Sequence, residues 1–255
     1  MTLVEILRKF NCLTVVKYPK TKLLGREKET AILIESFYKK RMNNAILVGK
    51  AGVGKTAILE EFARIMKDKY TVLELNVASS VGGTQYRGQF EEKISKSLDA
   101  IKKYNSDESN KKKIVLFIDE IHTIGNVGAS EGGMNLGNIV KPYLSKGEIS
   151  IIGATTLYEY NMTIKKDPAL IRRLSPIYVK ELDKEAIISI MESFSKKKVK
   201  KELIEYIYEK SLTLEDYCNP DASIEILDRC MARKEYLDIK INEEMVDDIV
   251  EMLII

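Results

Sequence analysis

Residues 49–56 read GKAGVGKT: a glycine, four further residues, then Gly-Lys-Thr. The stretch lies between an apolar run, AILV at 45–48, and a helical pattern at 55–69, which is the setting a phosphate-binding loop requires. Gly49, Gly52 and Gly54 let backbone N–H groups wrap an anion, and the helix that follows adds its positive end to the same charge. Lys55 can reach outer phosphates, and the Thr56 hydroxyl can bind magnesium. Ala51, Val53 and Ala57 complete the segment expected to touch such a ligand.

A second stretch, IVLFIDEIH at 114–122, is a buried apolar strand that ends in two acids. Adjacent carboxylates there are costly to bury without a cation. Asp119 is placed to hold magnesium, partly through water, and Glu120 to orient and deprotonate an attacking water. The expected ligands are therefore a nucleoside triphosphate and Mg2+. His122 reads as a packed, hydrogen-bonded imidazole.

Two more polar groups are candidates for the same chemistry. IIGATT, ending at 156, puts Thr155 and Thr156 at the end of another strand, where a hydroxyl could align the water or sense the γ-phosphate. DPALIRRL at 167–174 sets Arg172 beside Arg173, either as surface ion-pair donors or as cations for a nucleotide. A third stretch, GGTQYRGQF at 82–90, exposes Tyr86 and Arg87 among glycines that include Gly88, and reads as a loop.

These residues need a frame. The runs AILV (45–48), TVLELN (71–76), IVLFID (114–119), ISIIGA (149–154) and PIYV (176–179) are short and apolar on both faces, as in a parallel sheet covered by helices. Helical patterns at 55–69, 88–104 and 134–144 alternate with them. The expected fold is α/β: a five-stranded parallel P-loop sheet with helices on both faces, followed by a small all-helical domain. Ligands in such folds sit at the carboxyl ends of the strands. The expected division is an N-terminal extension at 1–22, an α/β core at 23–180 and a helical lid at 181–255. In the lid, CNPD at 218–221 breaks the helical run, with Asp221 the expected cap of the next helix.

Composition excludes several classes. The 255 residues carry 41 basic and 38 acidic side chains, a net of +3, which is no footprint of a dedicated nucleic-acid binder. The three cysteines, Cys12, Cys218 and Cys230, and one histidine match no metal-site spacing and suggest a reducing compartment. Apolar runs fall far short of the roughly 18 residues of a membrane span.

Taken in order, these motifs resemble the AAA+ ATPases, and more narrowly the first ATPase module of the Clp-type ring unfoldases and chaperones. LLGREKE (23–29) is similar to the segment that packs over the adenine, which implies a binding role for Leu24 and Gly25. GASEGGMNLGNIVKPYLSKGEISIIGATT (128–156) follows the family to its sensor threonine, Thr156, and NPDASIEILD (219–228) resembles its lid motif. The resemblance implies that Arg172 and Arg173 are arginine fingers acting on a neighbour's nucleotide in a homo-hexamer. It implies that Tyr86, Arg87 and Gly88 form a pore loop gripping unfolded or aggregated polypeptide, with a peptidase or adaptor as a further partner. A membrane and nucleic acid are not expected partners. The expected location is the cytoplasm, or a reducing organelle interior such as a plastid stroma. Two rivals remain open: an AAA+ loader serving nucleic-acid machinery, and a nucleotide-binding adaptor with little turnover. Leu174 departs from the family, which usually has an aromatic residue after the arginine pair.

Overall fold

A computed structural model describes residues 1–40, 43–76, 87–124 and 136–254. Tyr86 lies outside the described residues, whereas Arg87 and Gly88 open the helix Arg87–Ser106. The chain divides into two compact units.

The larger unit takes in residues 1–22, 28–48 and 56–178. It is built on a sheet of six described strands: β1 Leu13–Val15, β2 Ala45–Val48, β3 Tyr70–Leu75, β4 Lys113–Ile118, β5 Ser150–Thr155 and β6 Ser175–Tyr178. Their order is β1-β3-β4-β5-β2-β6. The five strands read from apolar runs are all present and parallel to one another. The sheet is larger than the expected five by β1, which pairs antiparallel with β3. At three residues, β1 is too short to show alternation.

Helices cover both faces because the central strands are apolar on both sides. β4 illustrates this: every residue from Ile114 to Ile118 is buried. On one face, Ile94, Leu98 and Ile101 of the helix Arg87–Ser106 join the β3, β4 and β5 side chains in a core that also takes in Ile6 and Leu174. On the other, Phe37, Phe62 and Tyr70 pack ring against ring at 4.7–6.3 Å. Buried Asn44 sets the start of three strands: its Oδ1 accepts from the Ile151 N–H at 2.7 Å and its carbonyl from the Ser175 N–H at 3.2 Å.

The smaller unit comprises residues 23–27, 49–55 and 179–255. Four helices, Lys184–Phe194, Lys201–Ser211, Asp221–Leu237 and Glu243–Ile254, enclose Ile187, Met191, Ile204, Ile207, Ile226 and Ile249. The cap of the third differs from expectation. Asp221 is its first helical residue and Pro220 occupies the cap position without a side-chain bond. Asn219 does the capping instead, its Oδ1 accepting from the Ser223 N–H at 3.2 Å. Asn219 is buried and bonded to Ser211 as well, so it satisfies the helix end from inside the unit.

Candidate active site

β5 lies between β2 and β4, so the chain leaves the carboxyl ends of three adjacent strands at residues 49, 119 and 156. The register confirms the alignment: Val48 pairs with Thr155, and Ile118 with Gly153.

After β2 the phosphate loop turns through left-handed backbone at Gly52 (φ 77°) and Gly54 (φ 94°). Only glycine takes such angles freely, and space adds its own demand. A Cβ on Gly49 would meet the Val179 carbonyl oxygen at 2.4 Å, and one on Gly52 would meet the Asp221 Cβ at 2.8 Å. Lys55 folds over the loop and donates to the carbonyls of Gly49 and Lys50 at 2.9 and 2.8 Å. Buried Arg26 donates to the Val53 carbonyl at 2.6 Å. A Cβ on Gly25 (φ 73°) would lie 3.1 Å from Leu182 Cδ1, a tight approach on left-handed backbone, and Leu24 is exposed. A glycine loop of this kind, with a lysine and then a threonine at its end, is suited by chemistry to a magnesium nucleotide.

After β4, Asp119 and Glu120 are both exposed. Asp119 Oδ1 accepts from the Glu120 N–H at 3.0 Å. Glu120 has left-handed backbone at φ 49°, uncommon for a side chain of its size. The single turn Ile121–Ile124 then sends Ile121 into the core, where it is fully buried. His122 Nδ1 lies 3.1 Å from Glu120 Oε2, 3.3 Å from Glu159 Oε2 and 3.2 Å from the Thr155 hydroxyl. The expected hydrogen-bonded imidazole is therefore present, and one of its partners is Glu120.

After β5, Thr155 is buried, while Thr156 caps the helix Leu157–Met162. The Thr156 hydroxyl donates to Glu159 Oε2 at 2.8 Å and accepts from the Glu159 N–H at 3.3 Å, a closed capping box. Its single proton is thus engaged. Burial works against the charged form of Glu159. The bonds from Thr156 and the charge of His122 outweigh that and hold its carboxyl below the usual range.

The arginine pair follows the short helix Pro168–Ile171, which Asp167 caps through the N–H groups of Ala169 and Leu170. Arg172 is exposed. Arg173 turns back, its Nη1 donating to the Ala169 carbonyl at 2.8 Å. Leu174 is buried and fixes the end of the turn.

Sequence reading passed over Arg26, Glu159 and Asn219. Glu159 had a local signal, since Thr-x-x-Glu at 156–159 spells a capping box, but its approach to His122 has none. Arg26 acts through a contact distant along the chain, at Val53, and Asn219 through bonds to Ser211 and Ser223 on the helices either side of it.

A parallel sheet with a glycine-lined phosphate loop after β2 and paired carboxylates after β4 defines a P-loop nucleoside triphosphatase. Residues 45–182 match the family model described as the ATPase family associated with various cellular activities, AAA. The chaperone protein ClpB of Aquifex aeolicus is 40% identical over 229 residues, which are 84% of this chain and 22% of that protein. A probable ATP-dependent Clp protease ATP-binding subunit of Chlamydia pneumoniae is 40% identical over 228 residues, 83% of this chain and 26% of its own. Among solved structures, the S. cerevisiae Hsp104–ADP complex superposes with a TM-score of 0.68 at 29% identity, over 87% of this chain and 33% of that one. A closed state of Hsp104 with ATPγS and FITC casein gives 0.78 over 97% of this chain and 45% of that one; at 24% identity it speaks for the fold alone.

The chain belongs to the AAA family of ATPases, and its sequence relatives are Clp-type members. It spans 22–31% of the length of the first curated relatives it matches.

Proposed function

We propose that this chain is the ATP-hydrolysing motor module of a Clp-type protein unfoldase, working at subunit interfaces of a homo-hexameric ring and threading unfolded or aggregated polypeptide. The observation that carries the ATPase part is the phosphate loop after β2 with left-handed Gly52 and Gly54, in a chain whose strand β4 is followed directly by Asp119 and Glu120.

In this reading Gly49, Ala51, Gly52, Val53, Gly54, Lys55, Thr56 and Ala57 hold the phosphates, and Leu24 and Gly25 the adenine. Thr56 and Asp119 hold magnesium, partly through water; the ion supplies charge neutralisation on the phosphates. Glu120 takes the proton of the attacking water. Thr156 senses the γ-phosphate by exchanging its bond to Glu159 for one to the phosphate, since its hydroxyl has one proton to give. Arg172 and Arg173 stabilise the charge on a neighbour's nucleotide, and Tyr86, Arg87 and Gly88 grip the substrate chain. The working division is the extension 1–22, the ATPase core 23–180 and the helical lid 181–255. A peptidase or adaptor would be a partner of the whole assembly. The near-neutral charge supports polypeptide rather than nucleic acid as cargo. The sparse cysteines support a cytoplasmic or other reducing location, and among the described residues no helix is long and apolar enough to cross a membrane.

The test is ATP turnover per subunit measured across a wide range of protein concentration. A steep rise supports a site completed between subunits. Bound nucleotide with no turnover at any concentration sinks the self-sufficient ring and favours an adaptor.

A further inference from the structure

Three side chains, the proposed base among them, meet from two segments, the turn after β4 and the helix after β5. His122 Nδ1 faces Glu120 Oε2 at 3.1 Å and Glu159 Oε2 at 3.3 Å. The ligand atoms of the three residues lie within 4.8 Å of one another, so two carboxylates come close on one side of a single ring nitrogen. Like charges at that separation repel, and something between them must offset the repulsion.

Donor and acceptor chemistry identifies what does. Thr155 has one hydroxyl proton, and the Glu159 carboxylate, whose Oε2 is 3.2 Å away, can only accept it. That hydroxyl then has only lone pairs to offer the imidazole 3.2 Å away. Nδ1 therefore faces three acceptors, and each contact is favourable only if Nδ1 carries the proton.

The two carboxylates are held differently. Glu159 is fixed, locked by the Thr156 capping box and by Thr155. Glu120 is at the exposed end, its side chain 55% accessible against 31% for Glu159 and 18% for His122, on left-handed backbone. The fixed partner thus sets where the exposed one rests.

We propose that His122 is a positioning residue for Glu120: its Nδ1–H is shared between Glu120 and Glu159, tying the water-activating carboxylate after β4 to the threonine pair that ends β5. This rests on the reading of Glu120 as the base. It gives the end of β5 a route to the base: when Thr156 lets go of Glu159, that carboxylate draws harder on the shared proton and Glu120 is released toward the water.

The test uses the full chain, whose single histidine makes its ring signals self-identifying. Long-range nitrogen–proton NMR at alkaline pH reads the tautomer of the neutral ring. The Nδ1–H form is expected to predominate, and Glu159→Gln, which can keep the capping box, is expected to shift the population severalfold toward Nε2–H. A ring in the Nε2–H form in the unmodified chain overturns the proposal, whether or not the isolated chain turns over ATP. Kinetically, His122→Ala is expected to lower kcat roughly 10- to 100-fold with nucleotide affinity kept. His122→Asn, which restores a donor, recovers part of the rate. In a Glu120→Gln background, His122→Ala adds nothing, as two residues acting through one group require. A fully active His122→Ala beside an inactive Glu120→Gln overturns this inference alone; a fully active Glu120→Gln overturns the reading of the base.

Discussion

A Cβ on Gly153 would come within 2.4 Å of Ile121 Cδ1 and 2.9 Å of its Cβ. Gly153 is in the middle of the sheet, paired with Ile46 on one side and Ile118 on the other, so the backbone has no room to yield. The absence of a side chain there is what allows the turn after β4 to dock, and with it Glu120 and His122. Gly153→Ala is expected to destabilise the chain by about 1–3 kcal/mol, as overpacking does, and to lower turnover by displacing Glu120. Denaturant unfolding and ATPase rate together check this; an unchanged rate in a destabilised chain would separate docking from catalysis.

Glu120→Gln keeps the size of the side chain and removes its basicity. Nucleotide affinity is expected to stay, while hydrolysis falls roughly 10²–10⁴-fold. Fluorescent-nucleotide binding and single-turnover hydrolysis are the paired measurements, and normal turnover would remove Glu120 as the base.

The two arginines are expected to separate. Arg172 is exposed, so Arg172→Ala should leave stability unchanged while lowering the turnover of an assembled ring by roughly 10³-fold or more, the scale of an arginine finger. Arg173→Ala also removes the bond to the Ala169 carbonyl and should cost about 1 kcal/mol of stability. Equal turnover in Arg172→Ala and the unmodified ring would reassign Arg172 to the surface.

Asp167 supplies a pH dependence. Burial raises its pKa, but Lys141 at 2.6 Å and the N–H groups of Ala169 and Leu170 outweigh that and hold the carboxyl below the usual range. A depressed native pKa means stability that is present above the unfolded value of roughly 4 and lost as pH falls through the native one. Asp167→Asn should therefore be less stable at neutral pH and show a shallower acid limb in unfolding midpoint against pH. Identical acid limbs would mean that the ion pair contributes nothing.

Tyr86→Ala is expected to leave basal ATP hydrolysis largely intact and to weaken work on an unfolding substrate. Parallel measurement of ATP turnover and loss of substrate fluorescence decides it; unimpaired unfolding would remove the grip.

What the sequence made legible was whatever is written locally. AILV and IVLFI are apolar runs bounded by turn residues, and both became central strands; GKAGVGKT, by spacing alone, foretold a loop in which Gly52 and Gly54 prove left-handed. What stayed hidden depends on which segments the fold brings together. LTV at 13–15 pairs as a strand only because Leu75 and Leu73 lie opposite it. Asp221 has the right residue type for a cap, but Pro220 holds the cap position, and Asn219, bonded to Ser211, accepts from the Ser223 N–H in its place. Glu159 shows its capping box in four consecutive residues, whereas its meeting with His122 requires β4 and β5 to be neighbours first.

The Asn76 N–H donates to the Cys12 carbonyl at 2.8 Å, one rung beyond the pairing of Leu13 with Leu75. Asn76 stands ten residues before Tyr86 in the sequence. In mechanical terms it is a mooring. Tension arriving along β3 meets antiparallel rungs to β1 on one side and parallel rungs to β4 on the other. Rungs that cross the line of pull are loaded together, in shear, instead of peeling one at a time. The short N-terminal strand thus doubles the number of seams that hold β3 against a pull along its length.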